Sequence, residues 1–168
     1  MDRLDELRHL SAGPGPDEKP PRIDYIVARC PGNAEVVLKK TNEVLQVVLT
    51  RDPENWPSDS EWASLLPRWF LDASSPKLSR KGAEDYLARL RGLSPEERIR
   101  FEREARWSIS DFLHWFRPHE RYWYWWDAEA ESADKFRVAL VFEGWPYPSG
   151  ALEWLLRASG ATDAEKEI

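Results

Sequence analysis

The chain lacks several features that mark disulfide-linked, secreted or membrane proteins. Cys30 is its only cysteine, so the sequence allows no intramolecular disulfide and no thiolate metal cluster. No apolar run approaches the ~20 residues of a membrane-spanning helix. Acidic residues interrupt the first ten positions, where a signal peptide would carry a continuous apolar stretch. We therefore expect a cytoplasmic protein with no membrane partner.

A long basic run is also missing. Asp and Glu number 30 against 24 Lys and Arg, and the formal net charge is −6. Residues 98–106 hold four arginines, but glutamates interleave them, as on a solvated, ion-paired helix face. Nucleic-acid-binding surfaces need clustered Lys and Arg to release the counterions of the phosphates. We therefore expect no nucleic-acid partner.

Local catalytic and cofactor motifs are absent from the sequence. It contains no glycine-rich phosphate loop, no dinucleotide fingerprint and no G-x-S-x-G nucleophile turn. His114 and His119 are five residues apart with Pro118 between them, so they lack the i, i+4 spacing of a helical metal site. We predict no cofactor and no metal ion, and we favour a non-catalytic role.

The composition is that of a globular protein, with 42% hydrophobic residues, 32% charged residues and ten tryptophans. A length of 168 residues suits one domain. Residues 11–22 are rich in Pro and Gly, which break regular structure. We predict a flexible N-terminal segment and Pro/Gly-rich linker over 1–22, in which residues 1–10 could form a short helix, a single domain over 23–160 and a frayed tail over 161–168.

Strands are predicted near both ends of that domain. Residues 23–30 are β-branched and aromatic, as in a strand. Residues 34–50 fit a helical seam, but their many valines favour a β-hairpin, because β-branched side chains lose rotamer freedom in helices. Arg121–Ala128 and Phe136–Glu143 form a second hairpin around a polar turn at 131–134.

Several helices are predicted between these strands. Ser58, Ser79, Ser94 and Ser149 are expected to cap helix starts, and Pro67 to end or kink the first of them. The helix after Ser94 either runs to Arg117 or breaks and restarts near residues 108–110. The pattern indicates an α+β fold: an antiparallel sheet of N-terminal strands and a C-terminal hairpin, with several helices packed mainly on one face.

The segment Tyr122–Trp126 contains five consecutive aromatic residues followed by alternating acids. On a two-residue period, Tyr122, Tyr124 and Trp126 are predicted to join the apolar face of residues 136–142 in the core. Trp123, Trp125, Asp127 and Glu129 then share the other face with Arg137, Glu143 and Trp145. A slip of one residue would reverse these assignments, and helices over both faces would make the tryptophans packing residues only.

A partly open aromatic and acidic face suits protein binding, because Trp and Tyr anchor interfaces and carboxylates steer a basic partner. The candidate partner-binding residues are Trp123, Trp125, Asp127, Glu129, Glu143 and Trp145. In general character, as a small, acidic, Trp-rich chain, the protein resembles the immunity proteins that neutralise toxin domains. The resemblance is one of composition and implies a basic toxin or enzyme domain as partner.

The same residues allow one catalytic alternative. Two carboxylates beside aromatic rings suit glycoside hydrolysis, in which one acid protonates the leaving group and the other attacks or activates water. The pairs to consider are Asp127 with Glu143 and Glu129 with Glu143. The alternative is therefore a small, carbohydrate-active hydrolase.

Overall fold

A computed structural model describes residues 1–167, apart from the side chain of Pro118. Over this range the chain forms nine α-helices, a short 3-10 helix at Pro53–Asn55 and four strands. The helices are α1 (Arg3–Ala12), α2 (Ala34–Leu49), α3 (Asp59–Leu65), α4 (Arg68–Ala73), α5 (Arg80–Arg91), α6 (Pro95–Glu104), α7 (Ile109–His114), α8 (Pro118–Arg121) and α9 (Gly150–Ala158). The strands are β1 (Ile23–Arg29), β2 (Trp123–Ser132), β3 (Lys135–Phe142) and β4 (Asp163–Lys166).

The four strands form one antiparallel sheet in the order β2-β3-β1-β4. The α+β class is thus confirmed, and β2 and β3 form the predicted C-terminal hairpin. The sheet differs from the prediction in its other members, because the N-terminal part contributes β1 alone and the C-terminal β4 pairs with it. None of the helices in residues 1–167 is long and apolar enough to cross a membrane.

The predicted hairpin over residues 34–50 is wrong, because Ala34–Leu49 is the helix α2. Its buried residues recur every three or four positions and include Val37, Val44 and Val48. A valine in a helix costs roughly 0.5 kcal/mol relative to alanine, whereas burying its side chain contributes about 1.5–3 kcal/mol. Packing of the helical seam therefore outweighs the β propensity of these residues.

The predicted helix starts are found in the structure. Ser58 and Glu61 form a capping box at the N-terminus of α3, and Ser94 and Glu97 form one at the N-terminus of α6. Pro67 separates α3 from α4. The open question after Ser94 is settled in favour of a break, since α6 ends at Glu104 and Ser108 caps α7.

Two segments that were predicted to be flexible contain regular structure. Arg3–Ala12 forms α1, which lies along β2, and Asp163–Lys166 forms β4 at the other edge of the sheet. Glu6 of α1 is fully buried, pairs with Arg121 and accepts a hydrogen bond from the backbone N–H of Trp125. The predictions of a loose N-terminal segment and a frayed tail are corrected at these residues, while the domain division itself stays a prediction.

The core lies between one face of the sheet and the helices. Its sheet residues come from all four strands: Ile26 and Ala28 of β1, Trp123 and Trp125 of β2, Phe136, Val138 and Leu140 of β3, and Ala164 of β4. The three β3 residues are those predicted from the sequence. The principal helical members of the cluster are Val37, Leu45, Trp62, Phe70, Phe112, Leu152, Trp154 and Leu155.

Candidate functional site

The aromatic run begins where α8 meets β2. Tyr122 caps α8 in the left-handed conformation, with φ 56°, which non-glycine residues seldom adopt outside such caps. Its side chain is 53% exposed. The prediction that Tyr122 joins the core is therefore wrong.

Trp123 and Trp125 lie on the core face of the sheet. In the hairpin Trp123 is opposite Phe142 and Trp125 is opposite Leu140, and each indole is only 1% exposed. The indole N–H of Trp123 donates to the carbonyl of Pro148 at 2.8 Å, so burial leaves no unsatisfied donor there. The prediction that these two tryptophans form an open face is wrong.

A β-bulge at Trp126 changes the phase of the strand. The register steps from Trp125 directly to Asp127, so Trp126 has no cross-strand partner. The side chain of Trp126 is half-buried and makes an edge-to-face contact with His9 of α1, at 4.4 Å between ring centroids. After the bulge, Asp127 and Glu129 share a face with the half-buried Tyr124, and no longer with Trp123 and Trp125.

The four other predicted site residues fall into two separate groups. Asp127 is half-buried, and its carboxylate accepts a hydrogen bond from the backbone N–H of Ala128. Glu129 is exposed and lies opposite Arg137. Glu143 and Trp145 both follow the end of β3 and are exposed, Trp145 by 68%.

We call Tyr122, Tyr124, Glu143 and Trp145 the sheet-end patch. The backbone N–H of Glu143 donates to the carbonyl of Tyr122 at 3.0 Å, and the hydroxyl of Tyr124 donates to the Glu143 carboxylate at 3.1 Å. The second bond holds the carboxylate beside Tyr124, and the first joins the backbones of Glu143 and Tyr122. The ring of Trp145 packs edge-on against Phe142, at 6.2 Å between centroids.

Charge in the sheet-end patch is small and balanced by neighbours. Burial raises the pKa of Tyr124, and the hydrogen bond and charge of Glu143 raise it further. The ammonium of Lys166 lies 4.8 Å from the ring centroid of Trp145 and 3.7 Å from that of Tyr147. Burial lowers the pKa of Lys166. The patch thus offers aromatic surface with one carboxylate, and the ammonium group of Lys166 lies next to it at Trp145.

The predicted carboxylate pairs belong to residues whose backbones are well separated along the strands. Asp127 is opposite Ala139, four residues before Glu143, which corresponds to about 14 Å along the strand. Glu129 is farther still, opposite Arg137. Paired glycosidase carboxylates lie roughly 5–9.5 Å apart. Within the described part of the chain, no group of three or more His, Cys, Asp or Glu residues is arranged to hold a metal ion.

The structure also shows a feature that was not predicted as a site: a helical arm, residues 77–106, built from α5 and α6. Its two helices contact each other through Tyr86 and Phe101, 5.4 Å apart at their ring centroids, with Arg89 over the Phe101 ring. Neither helix contains a buried residue. At the base, the N–H of Ser75 donates to the carbonyl of Trp107 at 2.9 Å, in a β-bridge with Ser108.

A groove of about 1040 Å³ lies between the arm and the body of the protein. We call it the arm groove. Leu78, Tyr86 and Ile99 line it from the arm, and Trp107 and Trp115 line it from the body. Three arginines, Arg103, Arg106 and Arg157, line both this groove and an adjoining cleft of about 730 Å³.

The sequence contains one signal for the burial of Trp123 and Trp125 and one for the arm. Tryptophan is buried more often than tyrosine on average, and this favours Trp123 and Trp125 over Tyr122 and Tyr124 as core residues. Residues 77–106 contain nine Lys or Arg and six Asp or Glu, so the arm has a net charge of +3 in a chain of −6. Neither signal predicts which exposed side chains lie close together in the folded protein.

Comparison with known proteins gives no indication of function, so the function is argued from the geometry of the chain. No family model, no curated protein and no solved structure matches the chain.

Proposed function

We propose that the chain is a non-catalytic, cytoplasmic protein-binding domain, immunity-like or inhibitor-like, that binds a basic partner through the sheet-end patch. The observation that carries this proposal is the exposure of Tyr122, Glu143 and Trp145 at one end of the β2–β3 hairpin, where Tyr124 holds the Glu143 carboxylate. The patch retains two of the residues expected from the sequence, Glu143 and Trp145, and replaces the buried tryptophans with tyrosines.

Aromatic anchors of this kind supply most of the affinity in many protein interfaces. Trp and Tyr give a large contact area, and a few such residues contribute 2 kcal/mol or more each, about 30-fold in Kd. Trp145 has most of its surface open to a partner. The helix cap and the bond from Glu143 fix the backbone of Tyr122, so binding has to order only its side chain there.

The net charge of −6 favours a basic partner by steering its approach. Glu143 is the acidic group of the patch and is exposed. Because Tyr124 holds the Glu143 carboxylate in place, a guanidinium or ammonium group of the partner would meet an oriented acceptor.

The test is co-purification with the proteins encoded beside the gene for this chain. Trp145→Ala and Glu143→Gln should each weaken complex formation, by about 30-fold for the tryptophan. Leu87→Ala is the matched control, since Leu87 is 50% exposed on the arm, away from the patch. The proposal fails if complexes formed by the native chain are unaffected by the patch variants, or if Leu87→Ala weakens them equally.

A further inference from the structure

Trp145 and Tyr147 form two walls of a site in which an ammonium group lies. Their rings meet at 75°, with 5.7 Å between centroids, and we call this pair the aromatic corner. The ammonium of Lys166 lies 3.7 Å from the ring centroid of Tyr147 and 4.8 Å from that of Trp145. Both distances are within the roughly 6 Å over which an aromatic ring attracts a cation.

Hydrogen bonds and stacking fix the Tyr147 wall of the corner. The Tyr147 hydroxyl donates to the Asp24 carboxylate at 2.6 Å, and a phenol that donates to a carboxylate has a more electron-rich ring, which attracts a cation more strongly. Phe142 stacks on the Tyr147 ring, with 5.3 Å between centroids. The Lys166 ammonium donates to the main-chain carbonyl of Tyr147 at 3.1 Å. The corner therefore combines a fixed ring with an oriented acceptor.

The charges around the corner balance when one cation occupies it. Burial lowers the pKa of Lys166, and the charges of Glu153 and Asp24 oppose that effect. The charge of Glu153 also acts on Arg157, so these two carboxylates face two cations. Exchange of the Lys166 ammonium for an ammonium of another molecule keeps this balance, whereas loss of Lys166 alone leaves an excess negative charge. The corner is thus complementary to a cation.

The Lys166 side chain can leave the corner while the sheet stays intact. Trp145 is 68% exposed, so one wall of the corner is open to solvent. The main chain beside Lys166 is held separately, because the N–H of Glu167 donates to the carbonyl of Tyr25 at 2.9 Å. Lysine has a flexible four-carbon stem. Rotation of that stem empties the corner without breaking the pairing of β4 with β1.

We propose that the aromatic corner binds a lysine side chain of the basic partner, and that Lys166 occupies the corner in the free protein as an internal competitor. The inference rests on the proposed function for the partner, and it adds the chemical group that is recognised. The lysine of the partner replaces Lys166 and repeats its contacts with the two rings and with the carbonyl of Tyr147. The internal competitor lowers the apparent affinity, because only molecules with an empty corner can bind.

The corner suits an ammonium group better than a guanidinium group. The acceptor that Lys166 uses is a single main-chain carbonyl, and a compact ammonium can direct its remaining donors to solvent. A guanidinium is planar and carries five N–H donors in a fixed fork, which matches the paired oxygens of a carboxylate. The Asp24 carboxylate already accepts the hydroxyl of Tyr147.

The experiment uses the full chain, isotope-labelled for NMR, and Nα-acetyl-lysine methylamide as the probe. The titration follows the indole N–H of Trp145 and the backbone N–H at position 166. Lys166→Gln and Lys166→Ala each remove the internal competitor, and both variants should bind the probe at least about tenfold more tightly than the native chain does. Nα-acetyl-norleucine methylamide has the same carbon chain without the ammonium, and it should give no saturable shift.

Matched variants separate the corner from the effect of net charge. Lys77→Gln also removes one positive charge, at an exposed lysine of the arm, and it should bind the lysine probe as the native chain does. Trp145→Ala combined with Lys166→Gln should lose the saturable shift at position 166. Circular dichroism of each variant checks that the fold is intact.

The inference is overturned if neither Lys166 variant binds the lysine probe more tightly than Lys77→Gln does, or if the norleucine probe binds equally well. Tighter binding of Nα-acetyl-arginine methylamide would also overturn it and assign the corner to guanidinium groups. The proposed function fails separately. A partner that binds the native chain and Lys166→Gln equally, and is lost with Trp145→Ala, would keep the proposed function and overturn the role of the corner.

Discussion

The carboxylate of Glu6 and the guanidinium of Arg121 form a buried ion pair between residues that are 115 positions apart in the chain. The second oxygen of Glu6 accepts the backbone N–H of Trp125 at 2.7 Å. The Arg121 guanidinium also lies over the ring of Trp123, 4.9 Å from its centroid. This pair fixes α1 to the outer edge of β2, where the backbone would otherwise have an unpaired donor.

Removal of the Glu6 charge should destabilise the protein strongly. Glu6→Gln leaves the Arg121 charge buried without its counterion, and such changes cost about 3–5 kcal/mol. Urea denaturation measures the loss, with Asp17→Asn as an exposed control. The double variant Glu6→Leu/Arg121→Met should recover most of that loss, because no charge remains buried. The part that is not recovered comes from the backbone N–H of Trp125, which loses its acceptor. A loss below about 1 kcal/mol in Glu6→Gln would contradict the burial of this pair.

The tryptophans of β2 should act as core residues and not as binding residues. Trp123→Ala and Trp125→Ala should each lower the free energy of unfolding by about 3–5 kcal/mol, since each indole is almost fully buried. Trp145→Ala should change it by no more than about 0.5 kcal/mol, because its ring is exposed. Chemical denaturation of the three variants checks this order. Similar stability of all three variants would instead support the exposed face that was predicted for Trp123 and Trp125 from the sequence.

The Glu18 carboxylate should contribute an acid-sensitive component of stability. It accepts hydrogen bonds from Arg8, from His9 and from the backbone N–H of Gly15, and the side-chain bond from Arg8 is the main reason that its pKa is lowered to about 2. A lowered folded-state pKa stabilises the fold above the unfolded value near 4.5, and this contribution is lost as the pH falls toward 2. The midpoint of thermal unfolding should therefore fall more steeply with acid in the native chain than in Glu18→Gln. The same pH dependence of the unfolding midpoint in both proteins would contradict this prediction.

The Tyr147 hydroxyl should make stability sensitive to alkali. It donates to the Asp24 carboxylate at 2.6 Å, and burial, together with this bond, raises the pKa of Tyr147 strongly. A raised folded-state pKa gives a contribution that is complete below the unfolded value near 10 and declines as the pH rises above it. Tyr147→Phe should reduce the decrease in stability above that pH, measured by urea unfolding. Tyr122→Phe, at an exposed ring, is the control and should not.

Local signals in the sequence predicted much of the fold. The capping residues Ser58, Ser79, Ser94 and Ser108 lie where the helices begin, because a cap depends on side-chain to backbone bonds within four residues. The alternation of Phe136, Val138 and Leu140 also predicted the core face of β3 correctly.

Features that depend on distant contacts were not predicted. The helix α2 forms in spite of its valines because the rest of the core covers its seam. The bulge at Trp126 reverses the strand phase, and nothing in the local sequence marks it. For the candidate site, the partner-binding role of Glu143 and Trp145 stays a prediction, whereas Trp123 and Trp125 were assigned to the wrong face of β2.

The arm leaves and rejoins the body at almost one point, since Ser75 and Ser108 form a bridge with each other. The chain between them can therefore change in length or sequence without altering the path of the residues on either side. A short turn joining the two serines would keep α4 and α7 in place. In such an architecture the arm can vary while the sheet and its core stay constant, and the contacts that tie it to the sheet reduce to the ion pairs of Arg103 with Asp163 and Glu165 of β4.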